Sequence, residues 1–293
     1  MPLHTLTGNI QRHRAFPSAI LRNRRDVLVY LPPGYRHSPR RHYPVLYLHD
    51  GQNVFDAATS FAGVEWGVDE TAQHLIRKKL IEPLIVVAVF NMGEDRIHEY
   101  APTHGIYDHT AEHKKRSRGL ARQYGDFLIK ELKPFIDWKY RTKPEPEFTG
   151  LGGSSLGGLV TLAIGILYSQ AFTRLFVMSP SIWWDEFSIL RLVDLIEDKP
   201  PLKIWLDTGT HEPGWERARE LRDRLVEKGW RLHDDLHYLE VEGAEHSEGA
   251  WAARVDPVLR FLFPPPPPAP QVAAPRKSRG LVRRLLARVN GLL

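Results

Sequence analysis

The chain reads as an α/β protein with a mostly parallel central sheet and helices on both faces. Three observations predict this. Short apolar runs of strand length alternate with segments of helical periodicity. The runs are nearly continuous in apolar residues, as strands buried on both faces must be. Turn residues such as Pro32-Pro33-Gly34 and His49-Asp50-Gly51 close them at their carboxyl ends.

In chain order, the expected strands are Val27–Leu31, Val45–Leu48, Leu84–Phe90, a short one at Glu147–Leu151, Leu175–Met178, Lys203–Leu206 and Leu236–Val241. Helical patterns fall at roughly 69–79, 122–137, 157–168, 214–228 and 251–262. In such sheets, sites form at the carboxyl ends of the strands. The first domain, 1–263, is therefore expected to be catalytic. An unbroken run from Pro264 to Pro268, with Pro270 and Pro275 beyond it, predicts an extended linker over 264–275. Residues 276–293 are expected to form a basic amphipathic helix. Leu281, Val282, Leu285, Leu286, Val289, Leu292 and Leu293 recur at helical spacing, interleaved with Arg279, Arg283, Arg284 and Arg288. This tail suits an anionic membrane surface or a protein partner.

Composition narrows the function. With 293 residues, 42% of them hydrophobic and 26% charged, the chain can bury a large core and remain soluble. It has no cysteine, which excludes disulfides, thiolate metal sites and a cysteine nucleophile. The net charge is +5, but six basic residues and no acidic ones lie in 271–293, so residues 1–270 carry a net −1. That distribution argues against nucleic acid as a partner of the body. Residues 1–14 lack an apolar run of signal-peptide length and no stretch is long and apolar enough to span a membrane, so a cytoplasmic location is the expectation, with peripheral membrane attachment through the tail.

Gly153-Ser154-Ser155-Leu156-Gly157 matches G-x-S-x-G between a strand and a helix. This is the strand–turn–helix setting of the nucleophile in the α/β-hydrolase fold. Small flanking residues let the backbone reverse tightly, and the helix N-terminus favours a developing oxyanion. Serine needs a histidine to take its proton, and the histidine needs a carboxylate to orient it. Of the 14 histidines, His246 lies between the last expected strand and the last helix, where this fold places its base. His233 and His237 sit in or beside the strand itself. Asp207 and Glu212 both follow the Lys203–Leu206 strand. Asp207, at the strand end, is suited to bonding turn amides. Glu212, further out on the loop, is the better placed to reach a neighbouring loop.

Further stretches carry a resemblance. They are Val29-Tyr30-Leu31-Pro32-Pro33-Gly34-Tyr35, Tyr47 through Phe55, Glu99-Tyr100-Ala101-Pro102, Gly153 through Gly158, Ser179 through Trp184, Gly209-Thr210-His211-Glu212, and His246 before Trp251. Together they resemble the Putative esterase family of α/β hydrolases, which includes enterochelin esterases, feruloyl esterases, S-formylglutathione hydrolase and mycolyltransferases. The resemblance covers about 18–263. It implies a serine esterase without cofactor, with Ser155, Glu212 and His246 as the catalytic residues. It also implies an oxyanion hole from the Leu156 amide and an amide at Gly51 or Gln52.

Arg96, Tyr100, Trp183 and Trp184 follow strand ends and are candidates for the substrate pocket, with packing as the alternative for the tryptophans. His109-Thr110-Ala111-Glu112-His113 spells a zinc-peptidase motif, but in a polar stretch followed by Lys114-Lys115-Arg116 it is expected to be a loop, and no metal is expected. The expected function is hydrolysis of a small carboxylic ester through an acyl-enzyme. The alternatives are acyl transfer from the same intermediate and a non-catalytic adaptor working through its tail.

Overall fold

The computed structural model describes residues 3–108 and 115–266. The motif at 109–113, most of the proline linker and the tail at 276–293 lie outside the described residues. Among the described residues the strands are β1 (Asn9–Ser18), β2 (Asn23–Leu31), β3 (Val45–Leu48), β4 (Ile85–Val89), β5 (Ile106–Asp108), β6 (Lys115–Arg116), β7 (Thr149–Ser154), β8 (Arg174–Met178), β9 (Lys203–Gly209) and β10 (Leu236–Val241). The helices are α1 (Val68–Arg77), α2 (Arg96–Tyr100), α3 (Ala121–Phe127), α4 (Lys133–Lys139), α5 (Leu156–Leu167), α6 (Trp184–Asp194), α7 (Arg217–Glu227), α8 (Glu248–Ala252) and α9 (Val255–Leu262).

Eight strands form one sheet in the order β1-β2-β4-β3-β7-β8-β9-β10. β2 runs antiparallel to β1 and β4, and every other neighbouring pair is parallel. This is the expected α/β-hydrolase fold. β5 and β6 form a separate antiparallel ribbon.

The period-2 geometry of a strand divides the core in two. Val27, Val29, Val45, Tyr47, Val87, Leu151 and Val177 point to one face, under α3, α5, α6 and α7. Leu28, Tyr30, Leu46, Leu48, Val86, Phe176 and Trp205 point to the other, under α1 and α9. All residues of β3, β4 and β7 are buried, which is why β3 and β4 are continuous apolar runs and β7 is built of small residues around Leu151. Helix α5 buries its first ten residues, and Gly165 lets it close on β8: a Cβ there would stand 2.3 Å from a Leu175 methyl.

The structure departs from the sequence expectations at several points. The expected strand at 147–151 lies at Thr149–Ser154, because Pro146–Phe148 forms a 3₁₀ turn. β1 and α6 were not expected. The 122–137 helix is interrupted by a π-type segment, Leu128–Leu132, between α3 and α4. The 251–262 pattern divides into α8 and α9.

Candidate active site

Ser155 occupies the turn between β7 and α5, with φ 58° and ψ −123°. A non-glycine residue rarely adopts this region, and holding it there costs about 1–3 kcal/mol. The surroundings fix it. The Ser155 amide donates to the Met178 carbonyl at 3.1 Å, and the Ser155 carbonyl accepts from the Leu159 and Ser181 amides, each at 3.0 Å. The flanking glycines are needed for space. A Cβ on Gly153 would stand 3.0 Å from the Gly157 backbone, and one on Gly157 would stand 3.2 Å from the Asp50 carboxylate. Ser155 Oγ lies 3.3 Å from Ser181 Oγ.

His246 sits on the turn between β10 and α8. Its Nδ1 lies 2.9 Å from Glu212 Oε2, and its ring stands edge-on to Trp251 with centroids 4.9 Å apart. Ser155 and His246 both line a cavity of ≈ 640 Å³. The rest of its wall includes Gln52, Asn53, Phe61, Asn91, Arg96, Glu248 and Trp251. A second cavity of ≈ 460 Å³ also reaches His246, between Trp183, Phe187, Trp215 and Arg217.

The two candidate carboxylates, Asp207 within β9 and Glu212 just past it, have separate partners. Glu212 Oε1 accepts from Ser179 Oγ at 2.6 Å and the Gly209 amide at 2.8 Å, while Oε2 faces His246. Burial works against charge on Glu212, but the bonds from His246, Ser179 and Gly209 outweigh it and hold the carboxyl below its ordinary value. Asp207 is wholly buried and does not meet His246. Its Oδ1 accepts from Arg254 Nη1 at 2.7 Å and the Ser179 amide at 3.2 Å, and its Oδ2 accepts from Trp205 Nε1 at 2.7 Å. Burial pushes Asp207 up to about 6 against those donors. Ser179 joins both groups, because its hydroxyl also accepts from Trp251 Nε1 at 3.1 Å.

The amides named for an oxyanion hole are placed differently. Gln52 and Leu156 stand in the first turns of a 3₁₀ helix, Gly51–Asn53, and of α5, where backbone N–H groups lack intrahelical partners. Gln52 lines the cavity that holds Ser155. Gly51 is buried against β4, and a Cβ on it would stand 2.6 Å from the Ala88 carbonyl carbon, so only glycine lets this turn pack on the sheet.

Of the four pocket candidates, Arg96 and Trp183 reach a cavity. Arg96 is not a free cation: Nε and Nη2 bind Asp50 at 2.6 and 2.8 Å, and Asn91 Nδ2 adds a bond to Asp50 Oδ1 at 2.6 Å. Burial penalises both charges, but their attraction keeps the Asp50 carboxyl low and the Arg96 guanidinium high. Trp183 is 55% exposed on the second cavity. Tyr100 and Trp184 are wholly buried and line neither cavity. Tyr100 bonds the Asp50 amide at 3.2 Å, and Trp184 Nε1 donates to Thr103 Oγ1 at 3.0 Å, so both act in packing. His237 stacks on Trp205, away from the cavities.

Sequence reading missed Asn53, Asn91 and Glu248. Asn53 Nδ2 donates to Glu248 Oε1 at 2.9 Å across the cavity wall. Burial, with the nearby Asp50 charge, pushes Glu248 up to about 7. Glu248 lies two residues after His246 and Asn91 two after β4, so proximity to those landmarks was the available signal.

A family model described as Putative esterase matches residues 18–262. The chain belongs to this family. It is thus an esterase, a carboxylic ester hydrolase. Among similar proteins, Ferri-bacillibactin esterase BesA of Bacillus subtilis is 26% identical over 254 residues, covering 78% of this chain and 82% of that protein. The crystal structure of the BES protein from Bacillus cereus matches with a TM-score of 0.67 and 25% identity, over 88% of this esterase and 96% of that chain. The enterobactin esterase FES from Shigella flexneri, solved in the presence of enterobactin, matches with a TM-score of 0.69 and 19% identity, over 88% and 60%. Among the described residues, no helix is long and apolar enough to cross a membrane.

Proposed function

We propose that this esterase is a serine hydrolase of small esters, in which Ser155, His246 and Glu212 form the catalytic triad. The observation that carries the reading is the 2.9 Å contact of His246 Nδ1 with Glu212 Oε2, on a histidine that shares a cavity wall with the strained Ser155. With Nδ1 bonded to the carboxylate, Nε2 is the nitrogen left to take the serine proton.

Ser155 Oγ attacks the ester carbonyl as His246 accepts its proton. The Leu156 and Gln52 amides hold the oxyanion of the tetrahedral intermediate. His246 then protonates the leaving alkoxide, leaving an acyl-serine. Water repeats the sequence and releases the acid. No cofactor takes part. The two cavities flanking His246 would separate the acyl and alcohol parts of the substrate. Phe61 and Trp251 in one, and Trp183 and Trp215 in the other, favour an ester that carries aromatic groups, of the catecholate-siderophore or feruloyl type. The relatives that act on siderophores agree with that class.

The test is Ser155→Ala, assayed on a panel of p-nitrophenyl and siderophore-type esters, alongside labelling by a fluorophosphonate. Activity and labelling should both vanish while the melting temperature stays within a few degrees. Unchanged turnover on the best ester would remove Ser155 from the mechanism.

A further inference from the structure

We propose that Glu65, Asp69, Glu70 and the hydroxyl of Tyr30 form a binding site for a hard divalent cation of the Ca²⁺ type, which ties the N-terminal segment to the wall of the active-site cavity.

One carboxylate oxygen from each of Glu65, Asp69 and Glu70 lies within 4.8 Å of the others. Two of these side chains begin α1, where negative charge complements the helix dipole. The dipole does not account for the rest. Glu65 precedes the helix. Glu65 Oε2, Asp69 Oδ1 and Glu70 Oε2 are all inaccessible to water and have no hydrogen-bond partner. Among the described residues, no arginine, lysine or histidine forms an ion pair with any of the three. Native proteins leave few buried polar atoms unsatisfied, and like charges gathered this closely repel.

A separate element supplies the second observation. Tyr30, on β2, is wholly buried, and its hydroxyl is likewise without a partner. Asp69 and Glu70 are the negative charges that act on it, with Arg77 the opposing positive one. An orphan phenol hydroxyl and three orphan carboxylate oxygens make an oxygen-only donor set. Oxygen donors at this carboxylate density suit Ca²⁺, or Mg²⁺ and Mn²⁺ as harder or smaller competitors, and not a metal that prefers nitrogen or sulfur. The alternative is that protons alone neutralise the cluster.

The position gives the ion a structural role. The Thr7 amide donates to Asp69 Oδ2 at 2.6 Å, which brings the N-terminal segment to the site. Trp66, between Glu65 and α1, bonds the Asn53 carbonyl through its amide at 2.8 Å and packs on Trp251 at 6.2 Å. Trp251 in turn packs against His246. None of the four proposed ligands lines the cavity, so the ion would brace its wall and take no part in the chemistry.

The experiment is thermal unfolding and isothermal titration calorimetry of the full chain after chelation, with CaCl₂, MgCl₂ or MnCl₂ added. Wild type should bind one of these ions and gain on the order of 5 °C at a hundredfold excess over Kd. Glu65→Gln and Glu70→Gln, which keep the shape of the side chain, should lose that response while retaining the fold. A silent titration and an unmoved melting temperature with all three ions would overturn the proposal. So would an ion response that survives in the Glu65→Gln/Glu70→Gln double variant. A Glu70→Gln variant more stable than chelated wild type, with wild type blind to ions, would show that protons neutralise the cluster.

Discussion

Replacing Glu212 by glutamine tests the proposed triad more sharply than removing the nucleophile, because the structure dictates how the new amide must sit. Glu212 Oε1 accepts two hydrogen bonds, from the Ser179 hydroxyl and the Gly209 amide. The Ser179 oxygen is itself occupied by the Trp251 indole N–H, so its proton is committed to Glu212. A glutamine NH₂ placed there would face two donors. The amide oxygen must take that position, which turns the NH₂ towards His246 Nδ1. The imidazole must then accept at Nδ1 and carry its proton on Nε2, the wrong tautomer for drawing a proton from Ser155. Loss of the carboxylate also removes the charge that stabilises the imidazolium. Together these effects are worth roughly 10³–10⁴ in kcat, or about 4–5.5 kcal/mol in the barrier. Stability should change little, since every bond but one survives. Asp207→Asn should behave in the opposite way. It leaves the His246 contact intact but strips the buried Arg254 of its main counter-charge, with Glu212 Oε1 remaining at 3.6 Å. A cost of about 3 kcal/mol, the lower end for a broken buried pair, lowers the melting temperature by roughly 5–10 °C. The assay is kcat per folded enzyme on one p-nitrophenyl ester, with thermal unfolding in parallel. If Asp207→Asn loses more kcat than Glu212→Gln, or Glu212→Gln stays within about tenfold of wild type, the assignment of the acid is wrong.

Two further predictions concern the loop after β3. Burial pushes the His49 imidazole down to about 3 from an ordinary 6.5, so below pH 6.5 the unfolded chain takes up a proton that the folded chain refuses. The contribution of His49 to stability should therefore fall by about 1.4 kcal/mol for each unit of acidification across that window, opposed by Asp207 and Glu248, whose raised carboxyls take up protons more readily in the folded chain. In urea unfolding between pH 4.5 and 6.5, the stability of wild type minus that of His49→Gln should fall with acidification, and a difference independent of pH would refute the assignment. Gly51→Ala would drive a methyl to within 2.7 Å of the Val89 backbone and push the Gln52 amide off its position. Losing one oxyanion donor costs about 10²–10³ in kcat, so a partial displacement should lower kcat roughly tenfold to a hundredfold with KM less affected; an unchanged kcat would separate Gln52 from the reaction.

The parts of the fold legible in the sequence are those whose environment is uniform. β3, β4 and β8 are covered on both sides by helices, so their sequences carry unbroken apolar runs. β1 was invisible for the opposite reason. It is an edge strand whose residues, from Asn9 to Pro17, are exposed or half-buried, and it carries no alternation to read. Helix α6 was hidden because its first turn is not right-handed. Asp185, Glu186 and Phe187 all have φ between 43° and 63°, and nothing in Trp-Asp-Glu-Phe announces such a turn. At the candidate site, Ser155 was singled out by a local motif and His246 by its position between the last expected strand and the last helix. That Asn53 and Glu248 form one wall of the cavity was not legible, because the bond between them joins positions 195 residues apart; for Glu248 the only signal was its closeness to His246.

The choice between Asp207 and Glu212 shows where local reading stops. Both follow the strand expected at Lys203–Leu206, both are buried, and both contact Ser179. What separates them is the direct 2.7 Å hydrogen bond that Arg254 makes to Asp207, against 3.6 Å to Glu212; Arg254 lies 47 residues beyond Asp207, just past α8, in a region whose sequence pattern showed only an amphipathic helix. Its guanidinium, together with the Trp205 indole, fills the hydrogen-bonding capacity of Asp207 and turns that carboxylate into a structural anchor for the end of β8. Ser179, held by the Asp207 anchor through its amide, then presents its hydroxyl to Glu212 and fixes one oxygen of that carboxylate, so that the other is aimed at His246. On this reading Asp207 and Glu212 are not rivals. The first builds the platform from which the second acts, and Ser179→Ala should loosen the acid without touching the base, lowering kcat while the Asp207–Arg254 pair continues to hold the fold.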